Sequence, residues 1–545
     1  MRRRTPWGEV ELAQGRVLQV RARRSEAAFC AVGWVQARRW PDLLERGLAR
    51  GAGRAAQLDP GKGARHQDRL WGELGTAGRA RRRLAAAGPL YRRCWGAYAW
   101  GLDRAWRELG RRPPPAPITP ANLAAWDYLL AALPETGDLF GSPPGSGSNA
   151  LALPGGLVRG GAGLLWFDPH LPLEPRGDLA FHGLCIRTFE YKACGLARVG
   201  SPFVLAGAGP KLAWTLCASW CESLGGGPAE QAFRRGWCRA PSGRRALAPA
   251  FTRCPLPAAW FFAAARASSA PGLVRRSAHR PPLAHTHLVA ADRAGRTAWC
   301  LASAAPGGHR RPLHAGGVLL QCNAAFTRVR RERPLAAADF HPSFLGGPGE
   351  DRSWRQVRAR EILDALLHGQ GPVGPEALLV LARDECDPAA RLLARHLTAG
   401  GRRAPALAGW GGGLGRGSCR GALAMLVLAE LVRGRPLLDR VLPLERACTR
   451  LLAGVGEGEL AAAWRAGSRR WRRLGRPTWG RLHGGRGGSA NTLLAHGGSP
   501  WRGLPFPAGE GSLLPGVVRL GPAGAVLFLP DPRRPAQVTE IRLQG

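Results

Sequence analysis

Gly147-Ser148-Asn149-Ala150-Leu151-Ala152-Leu153 is the stretch that decides how this chain reads. It closes a Gly/Pro/Ser-rich run, Gly141-Ser142-Pro143-Pro144-Gly145-Ser146-Gly147, whose composition marks a loop. It then opens an apolar segment, Ala150 to Leu153, that reads as a buried strand. A loop running straight into a strand is the geometry that frees a serine as a new N-terminus once the chain is cut before it. Such a serine supplies two catalytic parts, its hydroxyl as nucleophile and its own α-amine as base. An α-amine has a reference pKa near ~7.7, so a useful fraction is neutral at physiological pH. That amine can take the hydroxyl proton directly or through one water. Gly147 adds no side chain, which keeps its carbonyl open to attack. Serine after glycine in a loop is usually turn chemistry, however. The weight therefore falls on the rest of the chain.

Composition bounds the answer. The chain has 545 residues, 45% of them hydrophobic, with 20 tryptophans, which fits a folded protein with one large core or two to three smaller ones. The formal charge of +40 comes from 78 basic against 38 acidic residues and invites a nucleic-acid reading. Yet Lys62, Lys192 and Lys211 are the only lysines, and Arg, Ala, Gly and Pro are all abundant, as a GC-rich coding sequence produces. No zinc-finger spacing or RNA-binding aromatic motif accompanies the arginines, so no specific nucleic-acid partner is expected. The 13 cysteines include no Cys-x-x-Cys pair, and Cys217 and Cys221 beside Trp214 and Trp220 read as packing residues rather than metal ligands. No apolar run is long enough to span a bilayer. Met1-Arg2-Arg3-Arg4-Thr5-Pro6-Trp7 carries charge without a following apolar region, so no signal peptide is visible. The expectation is a cytoplasmic protein, or an exported one if translation begins upstream.

Residues Val10 to Arg24 read as a strand pair and Ala27 to Val35 as a helix; Gly96 to Ala105 reads as a second, amphipathic helix. Pro113-Pro114-Pro115-Ala116-Pro117 marks a linker, and a short helix is expected near Leu123 to Leu133. His287 to Trp299 reads as two strands joined by an Asp292-Arg293-Ala294-Gly295 turn. No internal repeat is evident.

Taken in order, several segments resemble the penicillin acylase family of N-terminal-nucleophile amidohydrolases. They are Gly33-Trp34-Val35-Gln36-Ala37-Arg38, Leu48-Ala49-Arg50-Gly51, Gly96-Ala97-Tyr98-Ala99-Trp100-Gly101, Ser148-Asn149, and Gly163-Leu164-Leu165-Trp166-Phe167-Asp168-Pro169-His170-Leu171. Gly207 to Thr215, His287 to Trp299, Leu407-Ala408-Gly409-Trp410 with Ser418, and Trp479-Gly480-Arg481-Leu482-His483 continue the series. Asp168-Pro169-His170-Leu171 is the most specific after the serine itself. The chain also departs from the family pattern. Ala208-Gly209 replaces a His-Asn pair, Ala324 stands where a second asparagine is usual, an early aspartate is absent, and no closing His-Tyr precedes Gly545.

The resemblance implies an α+β fold, the four-layer αββα sandwich of N-terminal-nucleophile hydrolases. It implies an α-chain-like segment over 1–111, a linker or spacer over 112–147, and a β-chain-like segment over 148–545, joined as a self-derived heterodimer after autoproteolysis at Gly147–Ser148. The reaction implied is hydrolysis of a small-molecule N-acyl amide, such as a penicillin, an acyl-homoserine lactone or an acyl peptide, through an acyl-Ser148 intermediate. His170 would orient the serine amine or its bridging water. The backbone N–H of Ala218 and the side chain of Asn323 would bind the oxyanion, and Arg358 would buttress Asn323. No cofactor is expected; the structural calcium of the family finds no aspartate in Trp220-Cys221-Glu222-Ser223. The rival readings are a catalytically degenerate homologue and, from net charge alone, a basic nucleic-acid-binding protein.

Overall fold

The computed structural model describes residues 2–13, 17–129, 148–172, 180–218, 256–279, 286–302, 313–322, 329–330, 354–369, 371–384, 386–399, 404–415, 417–432, 454–482, 510–512, 516–521, 524–530 and 538–544. Strands β1 (Arg2–Thr5), β2 (Gly8–Ala13) and β3 (Val17–Ala22) open the chain, as the strand-pair reading required. Helices α1 (Ser25–Arg39), α2 (Pro41–Gly51), α3 (Lys62–Leu74), α4 (Thr76–Ala85), α5 (Pro89–Glu108) and α6 (Pro120–Leu129) come next. Prolines 41 and 89 sit in the first turns of α2 and α5, where a missing N–H costs nothing.

After α6 come β4 (Ser148–Leu153), β5 (Leu164–Pro172), β6 (Phe181–Arg187), β7 (Lys192–Arg198), β8 (Val204–Ala208) and β9 (Leu212–Ala218). The family-like segment Gly207 to Thr215 lies across two strands that meet at Gly209-Pro210-Lys211. Two helices, Pro257–Arg266 and Ala270–His279, precede the expected hairpin of β10 (Thr286–Asp292) and β11 (Thr297–Ala302). Short strands β12 (Leu313–Ala315) and β13 (Leu319–Gln321) lead to helices Trp354–Gly369, Pro375–Arg383, Pro388–Thr398, Cys419–Val432 and Glu457–Arg473. Strands β14 (Glu510–Ser512), β15 (Gly516–Gly521), β16 (Gly524–Pro530) and β17 (Val538–Gln544) close the chain.

Among the described residues the strands form two sheets, one ordered β1-β2-β3-β6-β7-β8-β9-β10-β11-β12 and one ordered β13-β4-β5-β15-β16-β17, with β14 paired to β5. Strand alternation sorts the apolar residues into separate cores. Leu18, Val20, Leu184 and Ile186 bury one face of the first sheet against Phe29, Trp95, Tyr98, Trp126 and Phe261 of the helices. Its other face, with Cys217, Val289, Trp299 and Leu301, packs on Ala150, Ala152, Leu165 and Phe167 of the second sheet. The far face of that second sheet, with Leu151, Leu153, Leu164 and Trp166, buries Ala359, Ile362, Leu363, Leu378 and Leu381 of two further helices. A fourth cluster, including Leu393, Leu397, Val427, Leu428, Leu460 and Trp479, belongs to the helices after residue 388.

Helices α1 and α5 cross closely because each places a glycine at the contact. A Cβ at Gly33 would lie 2.2 Å from the Tyr98 carbonyl oxygen, and one at Gly101 would lie 2.0 Å from that of Cys30. The stretch expected as a linker begins in packed structure. Leu123, Ala124, Ala125, Trp126, Asp127 and Tyr128 of α6 are all buried. Residues 130–147 lie outside the described residues.

Candidate active site

Ser148 is the first residue of β4, a strand held between β13 and β5. Register pairs Ser148 with Pro169, Asn149 with Asp168 and Ala150 with Phe167 on one side. On the other side it pairs Gln321 with Ala150 and Leu320 with Leu151. Ser148 shares its parity with Ala150 and Ala152, so it stands on the face between the two sheets. Asn149 and Asp168 stand on the opposite face with Leu151 and Trp166. Ser148 is buried, with 7% of its surface exposed.

Directly behind the serine, Asn149 Nδ2 donates to Asp168 Oδ2 at 3.0 Å, both residues buried. Both belong to the family-like motifs, yet sequence reasoning assigns neither a role. Gln356, on the helix Trp354–Gly369, carries no sequence signal at all. Its Nε2 donates to the Leu320 carbonyl and its Oε1 accepts the Cys322 N–H, each at 2.8 Å. One buried carboxamide thus stands in for a neighbouring strand along β13. No spacing rule finds such a residue, since a glutamine early in a helix is ordinarily solvated.

Across the intersheet layer, β4 packs on β9 and β10. His287 is the register partner of Cys217 there. Its Nδ1 accepts from Trp299 Nε1 at 3.3 Å, and the two rings stack at 5.8 Å. The sequence places His287 in a hairpin and gives it no chemistry.

The structure spreads the expected site residues over several elements. Ala218 ends β9 opposite Thr286. His170 comes after Pro169 on β5 and pairs with Ser512 of β14. Asn323 lies outside the described residues, immediately after Cys322. Arg358 makes a forked contact with Asp384, 2.7 and 3.1 Å, and a third bond to Glu361 at 3.0 Å. Those hydrogen bonds, led by Asp384, push its pKa still higher and fix its charge. Among the described residues it is Gln356, two positions earlier, that reaches the strand leading to Asn323.

The thiols offer no competing nucleophile in the helix-facing core. Burial pushes Cys30 up to about 12, and Cys94 and Cys300 higher, so they stay protonated. Among the described residues no three His, Cys, Asp or Glu side chains gather as a metal site, and no helix is long and apolar enough to cross a membrane.

The segment before Ser148 is tied into the segment after it. Strand β3 pairs in parallel with β6, Val17 opposite Gly183 through Arg21 opposite Arg187. Gln36 of α1 accepts from Tyr98 Oη at 2.6 Å and from the Gly200 N–H at 2.9 Å, and its Nε2 contacts His182 Nε2 at 3.0 Å. On α6, Asp127 accepts the Ala258 N–H at 2.8 Å and pairs with Arg198 at 3.4 Å, both charges buried. Gly200, at φ +85°, is required beside them, since a Cβ there would meet the Trp126 ring at 1.9 Å.

Comparison with known proteins points to the same part of the chain. A family model, penicillin amidase, matches residues 9–220. No curated protein sequence matches significantly. Among solved structures, the thermostable penicillin G acylase from Alcaligenes faecalis is similar at a TM-score of 0.41 and 12% identity, over 70% of this chain and 90% of that one. The family match covers β2 through β9, and with it Ser148, the Asp168-Pro169-His170 run and Ala218. Over residues 9–220, therefore, the chain is similar to the penicillin amidase family.

Proposed function

We propose that this protein is an N-acyl amide hydrolase that cuts itself at Gly147–Ser148 and turns over through an acyl-Ser148 ester. The observation that carries this reading is the position of Ser148 as the first residue of an interior strand, facing the layer between the sheets. In maturation, the serine hydroxyl adds to the Gly147 carbonyl, the peptide bond shifts to an ester, and water hydrolyses that ester. The products are a chain ending at Gly147 and a chain beginning with Ser148 and its free amine. In turnover, that amine takes the hydroxyl proton while Oγ adds to the substrate carbonyl. The proton passes to the departing amine, and water then hydrolyses the acyl ester.

The oxyanion is assigned to the Ala218 N–H and the Asn323 carboxamide. For Asn323 the support is its place in the chain. Asn323 follows Gln321, the last residue of its strand and the partner of Ala150, by two positions in the sequence. His170 is assigned the orientation of the amine or its water through its place beside Pro169, the partner of Ser148. Arg358 is assigned a supporting role through the helix that also carries Gln356. The successive cores of helix on sheet, sheet on sheet and sheet on helix support the αββα sandwich of this enzyme class.

Gel and intact-mass analysis of purified protein tests the reading. Two chains split before Ser148, and a single uncut chain for Ser148→Ala, are expected. A catalytically degenerate homologue is the second reading, favoured by Ala208-Gly209 and Ala324 at family-typical polar positions. A matured protein inactive on every acyl amide would select it.

A further inference from the structure

We propose that the buried Asn149–Asp168 hydrogen bond is a register pin that positions Ser148, an inference that rests on Ser148 being the nucleophile. The need for a pin comes from the strand itself. After Asn149, β4 reads Ala150-Leu151-Ala152-Leu153, small residues toward the intersheet layer and large ones toward the helices. A slip of one residue would exchange the faces, and packing forbids it. A slip of two residues puts alanine on alanine positions and leucine on leucine positions, so the apolar pattern barely resists it. Such a slip moves the strand by about 6.6–6.8 Å, far more than a nucleophile tolerates.

The polar pair supplies what the apolar repeat lacks. In the register observed, Asn149 meets Asp168 at 3.0 Å. Slipped one way, Leu151 would face Asp168; slipped the other, Asn149 would face Trp166. The first slip leaves the buried Asp168 against Leu151 and sets Asn149 opposite position 170, and the second buries the Asn149 carboxamide against Trp166. Each separates the donor from its carboxylate, which is costly. The pair lies on the face opposite to Ser148, in a layer otherwise lined by Leu151, Leu153, Leu164 and Trp166. Its effect reaches Ser148 through one peptide unit, as a positioning pair.

The test separates positioning from stability. Asn149→Leu combined with Asp168→Leu fills an apolar layer with apolar side chains, a change that often leaves stability equal or raises it. The expectation is a melt no lower than that of the native protein, with self-cleavage and kcat each down by about 10²-fold, as a misplaced reacting group costs. Asn149→Asp alone sets two carboxylates together and is expected to fail likewise. Adding Asp168→Asn reverses donor and acceptor and is expected to restore most of the activity.

Register is read independently of activity by mass-spectrometric disulfide mapping. Ala152→Cys with Leu165→Cys are direct partners in the register observed. Ala152→Cys with Phe167→Cys are diagonal there, about 7–8 Å apart, beyond disulfide reach. In the leucine-pair background the second cross-link is expected to appear. Native cleavage and kcat in that background, with only the first cross-link, would overturn the pin. A wild type indistinguishable from Ser148→Ala in cleavage and turnover would instead overturn the nucleophile, while the cross-links still report the pin.

Discussion

Residues 17–218 and residues 388–482 solve the burial problem in different ways. The first region interleaves, since segments on either side of Ser148 share a sheet through β3 and β6 and share buried polar groups through Gln36 and Asp127. The second is a set of helices around its own core, Leu393, Leu397, Val427, Leu428 and Leu460, with an internal cap at Asp387 and an internal ion pair between Arg470 and Glu430. The contrast teaches where disturbance travels. A change in the first region reaches the segments on both sides of Ser148, whereas a change in the second is expected to act on stability alone.

The largest expected effect lies at the nucleophile. Ser148→Ala removes the attacking oxygen, so residual turnover is expected to fall by about 10⁶-fold, as seen when a serine nucleophile is deleted. Progress curves on a panel of acyl amides check this. Turnover above a hundredth of native would place the chemistry elsewhere.

Next comes the buried charge pair joining α6 to β7. Burial pushes Asp127 upward in pKa and the Arg198 guanidinium opposes that shift. Arg198→Met leaves a buried carboxylate without its ion partner, expected to cost about 3–5 kcal/mol in chemical denaturation. If the protein matures as proposed and the regions are interleaved as described, its two chains are expected to co-elute until they unfold together. Dissociation of a folded α-like chain in low denaturant would break the comparison.

A pH effect of similar kind comes from His182, whose burial beside Gln36 lowers its pKa to about 4 from an ordinary 6.5. Between those values the unfolded chain binds the proton and the folded chain does not. Stability from this group is therefore fully present above pH 6.5, falls as pH drops toward 4, and changes little below. The whole shift amounts to about 3 kcal/mol. His182→Gln is expected to flatten that part of the melting profile.

The smallest effect is expected in the helical region. Asp387 accepts the Ala390 N–H at 2.9 Å as the N-cap of Pro388–Thr398. Asp387→Ala is expected to cost about 1 kcal/mol with kcat of the mature protein unchanged. A large loss of kcat at an unchanged melt would tie this region to the site.

The legibility of the sequence divides along the same line. β4, β5 and the β10–β11 hairpin are readable because a serine after a glycine-rich run, Asp168-Pro169-His170 and Asp292-Arg293-Ala294-Gly295 are local signals. The helices after 388 are visible only as short echoes, since amphipathic patterns specify a helix without naming the core it joins. Gln356 is invisible because its partners are backbone groups 34 and 36 residues away. The roles of Asn149 and Asp168 are hidden for a related reason, as only register sets them face to face. The packed state of α6 is masked by the prolines before it, which read as a linker although Trp126 and Asp127 are core residues.

The central claim is that Ser148 is freed as an N-terminus and acts from the start of β4. N-terminal sequencing of freshly purified, active protein tests it most directly. The account predicts two sequences, that of the chain's own start and Ser-Asn-Ala-Leu-Ala-Leu, with the second absent from Ser148→Ala. A single sequence from the chain's start, in protein that hydrolyses acyl amides, would contradict it.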